Sequence, residues 1–295
     1  MTYRCVDQLQ KEAGGIAPIC ELLEVSRSGY YASRKRLQEP HRICPVATQV
    51  EASFHASGRS YGSRRIKAAL VNQGVAVGRH RVRTIMRRKG LRPVWRRKFV
   101  HTTDSRHDLP VAPNLLNREF DPVAPNLAWV ADLSYIRTRT GWLYLAAVMD
   151  LFSRKIVGWA MAPSMPAELV CQALQVAIGQ REVTPGLLVH SDRGSQYASE
   201  LHRKLLEQYG LQTSMSRKGN CWDNSVMERF FLSLKMERVW LRDYANQAEA
   251  EKDVADYIVG FYNSVRLHSK LGYQSPNIYE HSVTEKELIG VSEKT

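Results

Sequence analysis

Apolar residues recur along the chain with two different periods, and the change of period divides it. Over residues 60–92, Ile66, Leu70 and Val71 share one helical face, and Val82, Ile85 and Met86 another. Between them Asn72-Gln73-Gly74 is a stop signal, with the glycine suited to a left-handed cap. This pattern predicts two short helices about a tight turn. Residues 16–36 hold a fainter sign of another small helical unit. From residue 127 the runs become strand-like: LAWVADLSYI closed by Thr140-Gly141, WLYLAAVMDLF closed by Ser153-Arg154, then KIVGWAMA. Short turns between three strands predict an antiparallel meander. A helix AELVCQALQVAIGQ, a strand LLVH, a helix SQYASELHRKLLEQYG and a strand LQTSMS follow. The helices SVMERFFLSLKMERVW and EAEKDVADYIVGFYNSVRLH come last. The order β-β-β-α-β-α-β-α predicts an α/β fold, a mixed sheet with helices on both faces.

Length allows about two domains in 295 residues. The expected division is a basic helical region 1–98, a proline-containing linker 99–126, a catalytic core 127–240 and a helical extension 241–295. The longest apolar run, Leu143 to Met149, falls far short of the ~20 residues that span a bilayer. The opening MTYRCVDQLQ has no apolar signal segment, so a cytoplasmic location is expected. Five cysteines with no CxxC pair argue against a disulfide framework or a zinc knuckle.

Charge sharpens the division. Residues 1–120 hold 23 Lys/Arg against 9 Asp/Glu, a net of +14; the remaining 19 and 20 leave 121–295 at −1. Residues 79–98 carry ten Lys/Arg and no acid. Solubility alone would spread such charge evenly; its concentration points to a polyanion-gripping module, a helix-turn-helix for DNA. Arg79, Arg83 and Arg87 fall on one stripe of the second helix, with Arg88 beside them, and guanidinium groups suit both phosphates and guanine edges.

Three acids occupy telling places in the neutral half. Asp132 lies inside the first strand among Trp129, Val130 and Leu133. An acid there costs several kcal/mol unless paired or metal-bound. Asp192 follows the fourth strand in HSDRGSQY, where a turn or cap role fits it equally well. Glu228 falls in the first turn of the next-to-last helix, and taken alone reads best as a dipole-complementing acid. Together, with first and fourth strands adjacent, the three would meet at one sheet edge, repel each other, and call for a cation. Hard oxygen donors favour Mg²⁺ or Mn²⁺, and two such ions about 3.5–4 Å apart serve phosphodiester chemistry.

The spacing is 59 residues between Asp132 and Asp192 and 35 between Asp192 and Glu228. That arrangement resembles retroviral integrases and related transposases. The segments WVADLSYI, GWLYLAAVMDLFSRKIVGW, HSDRGSQY, SRKGNCWDNSVMERFFLSLKME and YIVGFYNSVRLHSKLGYQSP resemble, more narrowly, the catalytic second-frame protein (OrfB) of two-reading-frame bacterial insertion elements. The resemblance covers about 127–279, and the helix-turn-helix at 60–92 is similar to the family's as well. It implies a ribonuclease-H-like core with Asp132, Asp192 and Glu228 as the metal-binding catalytic triad. It implies cleavage of double-stranded DNA at terminal inverted repeats and 3′-OH transfer to target, commonly by a copy-out, paste-in route through a circle. It also implies a homo-oligomer on DNA, and a first-frame protein or frameshift fusion as partner, with a nucleoid-associated location when bound. Lys235, seven residues after Glu228, shares its helical face, where a lysine beside carboxylates suits a phosphate clamp and resembles the basic residue of integrases at that place; the alternative is a solvated helix lysine. Asp223 or Asn224 reads as a helix cap, Asn220 as a cap or DNA contact, and His190 as a strand-end residue or an orienter of Asp192. Asn263, Arg266 and His268 match the family segment without a mechanism. Two other classes compete with a transposase: a DNA-binding regulator using the fold as scaffold, and a nuclease that cuts without joining.

Overall fold

The computed structural model describes residues 2–13, 15–38, 44–94 and 109–283. The end of the basic run (95–98), the first part of the expected linker (99–108) and the last stretch of the C-terminal extension (284–295) lie outside the described residues. The chain forms two compact units, residues 1–49 and 50–295. In the first, α1 (Thr2–Ala13), α2 (Ile16–Leu22) and α3 (Arg27–Gln38) enclose a small core of Val6, Ile19, Cys20 and Tyr30. The Tyr30 hydroxyl donates to Asp7 Oδ1 at 2.7 Å.

Helix α4 (Pro45–Ala56) carries the chain into the second unit, where α5 (Ser63–Asn72) and α6 (Arg79–Arg88) form the expected helix pair. Gly74, at φ +79°, accepts the left-handed turn that ends α5, and Ile66, Leu70, Val82 and Met86 are buried. An ion pair from Lys89 to Glu51 ties the end of α6 to α4.

The core of the second unit is a five-stranded sheet in the order β3-β2-β1-β4-β5: β1 (Ala128–Thr138), β2 (Gly141–Asp150), β3 (Ile156–Ala162), β4 (Leu188–Ser191) and β5 (Gln212–Met215). The first three are antiparallel, whereas β4 runs parallel to β1 and to β5. Period-two alternation sorts the faces. Ala128, Val130, Leu145 and Met149 pack under α9 (Ser225–Glu237) and α10 (Gln247–Asp256). Trp129, Ala131, Val148 and Val189 pack under α7 (Ala167–Gln180) and α8 (Glu200–Gln208). This is the ribonuclease-H-like mixed sheet, with a helix-turn-helix region ahead of it.

Two local differences from the sequence reading stand out. The last helix is not continuous to His268: α10 ends at Asp256 and widens into a π-type stretch, Tyr257–Asn263. Segment 109–126 has neither helix nor strand, yet it is bound along the core, with Leu115 and Leu116 N–H donating to Ser214 Oγ at 2.9 and 3.2 Å. No helix among the described residues is long and apolar enough to cross a membrane.

Candidate active site

Strand pairing creates the cleft. β4 pairs with β1 only along Ala128–Val130, while β1 continues beside β2 to Thr138. Beyond Val130 and His190 the two parallel strands part, which is where α/β sheets open a crevice at strand ends. Asp132 lies two residues past the last pair, on the α9 side of the sheet by alternation. Asp192 directly follows β4. Its Oδ1 accepts the Gly194 N–H at 2.9 Å, and a Cβ at Gly194 would stand 3.0 Å from that oxygen, so the tight turn favours glycine. Glu228 sits in the first turn of α9, whose Met227, Phe230, Phe231 and Leu234 bury the opposite side.

The three carboxylates share one electrostatic neighbourhood. Burial raises the Asp132 carboxyl well above the usual carboxylate range. The charge of Asp192 adds to this and Glu228 adds less, while the Leu133 N–H, donated to Asp132 Oδ1 at 2.8 Å, and Lys235 oppose it. Tyr197, buried beneath the cleft, is likewise pushed up by burial and then by Asp132 and Asp192. Lys235 lies 4.6 Å from the centre of the Tyr135 ring, a cation–π contact. Burial lowers its ammonium, and Asp132 partly restores it. The helix that carries Glu228 thus brings Lys235 within electrostatic reach of Asp132.

Residues read as caps do something else. Asn224 Nδ2 donates to the Ala131 carbonyl at 3.2 Å, tying the start of α9 to the β1 edge that β4 has left. Asp223 is fully buried and accepts from Arg217 N, Nε and Nη2 (3.0, 2.9 and 2.7 Å), Arg118 Nε (2.8 Å) and Asn114 Nδ2 (2.9 Å). Those bonds, led by Arg217, hold its carboxyl well below the usual range. Asn220 Oδ1 accepts from Arg118 Nη2 at 2.9 Å. The loop before Glu228 is therefore folded by ion pairs, not by capping. His190, fully buried, lies between Ser214 Oγ (2.8 Å) and Ser216 Oγ (3.2 Å), and burial pushes its imidazole down to about 4. It joins β4 to β5. Of the residues without a sequence mechanism, Asn263 clasps the start of β3: its Oδ1 accepts Ile156 N–H at 3.0 Å and its Nδ2 donates to Ile156 O at 2.9 Å.

The sequence reading missed Tyr135, Tyr197 and the tie made by Asn224. Only Asn224 carried a signal, four residues before Glu228 on one helix face. Among the described residues, no three acid, imidazole or thiolate groups already stand in an arrangement that holds a metal ion. The donor chemistry fits one: hard carboxylate oxygens, with Asp132 held up by burial and by two like charges. Arg79, Arg83, Arg87 and Arg88 are all exposed on α6, away from these acids in sequence, and His80, Arg83, Thr84 and Arg87 line a recess there.

Two integrase core domain families match residues 122–221 and 209–276, and an HTH-like domain family matches 46–99. The insertion element IS600 uncharacterized 31 kDa protein of Shigella sonnei is 43% identical over 265 residues, covering 88% of this chain and 96% of that protein. Transposase InsF for insertion sequence IS3A of Escherichia coli K12 is 39% identical over 287 residues, covering 95% and 99%. The HTLV-2 integrase catalytic core domain solved in complex with magnesium is similar at 16% identity and a TM-score of 0.43, over 54% of this chain and 99% of that one. With relatives matched at this identity over most of both chains, the chain belongs to the IS3-family insertion-element transposases with an integrase core.

Proposed function

We propose that the chain cuts and joins DNA at the ends of an insertion element, with Asp132, Asp192 and Glu228 as its catalytic, metal-holding triad. The observation that carries this reading is the crowding of Asp132 by two further carboxylates where β1 and β4 part. Mg²⁺ or Mn²⁺, as a pair of ions, would supply activation of the attacking oxygen and stabilisation of the leaving oxygen. The chain's own residues do the rest. Asn224 and the Asp223 ion pairs hold α9 so that Glu228 faces Asp132. Lys235 positions the phosphate beside the scissile bond as a point charge. Arg79, Arg83, Arg87 and Arg88 grip duplex DNA, both terminal repeat and target. The reading extends to a homo-oligomer on DNA, a first-frame partner or fusion, and a circle intermediate on a copy-out, paste-in route.

The test is joining of a labelled 3′-OH element end to a second duplex with Mg²⁺ or Mn²⁺. A regulator binds and does nothing more, a nuclease cuts without joining, and a transposase joins. Asp132→Asn, Asp192→Asn and Glu228→Gln should each lower joining by about a thousandfold or more while DNA binding persists. Strand transfer retained by Asp192→Asn overturns the assignment.

A further inference from the structure

Arg266 and His268, which the sequence left without a role, belong to a buried polar cluster at the far end of α9. Glu237 accepts a two-pronged contact from Arg266, Nε to Oε2 and Nη2 to Oε1, both 2.8 Å. Arg266 Nη2 also donates to Ser233 Oγ at 2.9 Å, and the Tyr257 hydroxyl donates to Glu237 Oε2 at 2.6 Å. His268 Nε2 lies 3.4 Å from Arg266 Nη1. Into this cluster reach two side chains of the helix-turn-helix. Arg65, in the first turn of α5, places Nη1 3.7 Å from Glu237 Oε1 and lies over the Tyr61 ring at 5.6 Å. Tyr61, only 4% exposed, accepts the Leu267 N–H at 2.8 Å and faces the Val265 carbonyl at 3.5 Å.

The placement has a mechanical meaning. Glu237 lies nine residues after Glu228 on one rigid helix, about 13–14 Å along the axis and half a turn out of phase. One end of α9 presents its acid to β1; the other end, on the opposite side, holds α5. Since α6 follows α5 across residues 73–78, where Gly74 takes a left-handed conformation, whatever holds α5 also bears on where the exposed arginines of α6 stand. The paired fork of Arg266 and Glu237 is well suited to this, because two parallel charge-assisted bonds fix orientation as well as distance.

We propose that Tyr61, Arg65, Glu237 and Arg266 form a dock that sets the register between DNA gripped by α6 and the triad, and so act as positioning residues for end joining. This rests on the proposed function above. Joining is sensitive to such register because misplacement of about 1 Å at the reacting atoms costs about a hundredfold in rate.

The test uses the full chain. One arm measures duplex affinity and single-turnover joining of an element end at saturating protein. The other measures the spread of distances between spin labels on exposed positions of α6 and α8 (His80→Cys and Leu201→Cys, in a chain whose five native cysteines are replaced by serine or alanine). The double variant Tyr61→Phe/Arg65→Ala should broaden the label distances and slow joining about tenfold to a hundredfold while duplex affinity holds. Arg65→Lys, with Tyr61 intact, should recover most of the joining rate. Unbroadened distances overturn the proposal, as does joining at the wild-type rate in the double variant. If the wild-type chain joins nothing, yet the double variant broadens the distances, the dock stands and the proposed function fails.

Discussion

Among the described residues, acids that are buried or partly buried come in two kinds. Asp223 and Glu237 are closed by guanidinium groups: Arg217 and Arg118 on the first, Arg266 on the second. Asp150, with no exposure, accepts from Arg181 at 3.0 Å and from the N–H groups of Asn126 and Phe152 at 2.9 Å each. Asp132 differs. Its strongest charged influence is another acid, and Lys235 offsets it least of the causes that act on it. Among the described residues, arginine thus closes Asp150, Asp223 and Glu237 from within the chain. Where β1 and β4 part, the charges of Asp192 and Glu228 act on Asp132 in the same direction as burial, a repulsion that the proposed metal ions would relieve.

The contrast can be broken by removing charge from each kind in turn. Arg266→Met leaves Glu237 buried without its main partner, and should cost about 3–5 kcal/mol in urea unfolding. A loss below about 1 kcal/mol would place the cluster in the same class as surface ion pairs.

A change of pH tests a different buried pair. His190 and His202 are pushed down to about 4 by burial, against 6.5 when free. The unfolded chain therefore binds more protons between these values. Each neutral imidazole contributes stability that is complete above pH 6.5 and lost as pH falls toward 4, about 3 kcal/mol apiece. His190→Gln should flatten that part of the stability profile; an unchanged slope would show that another group sets it.

Asp132 has the opposite sign and the smallest effect. Its raised carboxyl keeps a proton that the unfolded chain gives up near 3.8, so metal-free stability declines as pH rises through the elevated value. Asp132→Asn should accordingly stabilise the metal-free chain at neutral pH by about 1 kcal/mol, and lose that advantage when Mg²⁺ is added. Thermal unfolding with and without the ion decides it, and destabilisation by Asp132→Asn in chelator would put this acid among the structurally paired ones.

What was legible in the sequence follows the range of each signal. The strands announced themselves because both sheet faces are covered, so their apolar runs are dense and their turns sharp. The neighbouring places of Asp132 and Asp192 followed from the strand order, and the α5–α6 pair from two apolar faces around Gly74. Helices α1 and α4 left little trace: α4 buries only Val50 and Phe54, too few to mark a period. Asp223 and Asn224 misled because cap signals are local, whereas their partners Arg118, Asn114 and Ala131 lie 105, 109 and 93 residues away. The same side chain serves either purpose, and only the fold decides. The dock met the same limit, since Tyr61 and Leu267 are separated by 206 residues.

The parallel pairing of β1 with β4 also sets an order of events during synthesis. The β1–β2–β3 meander needs only local turns and can close as soon as residue 162 is free of the ribosome. Its inner edge, Ala128 to Val130, waits for Leu188 to His190. At roughly 5–20 residues per second, that interval of some 26 residues lasts about 1–5 s. Throughout it an apolar strand edge, bearing Trp129 and Val130, has no partner and invites pairing with another nascent chain. A transposase made in small amounts keeps that hazard low; a strongly expressed one should aggregate first through this edge, before any DNA is touched.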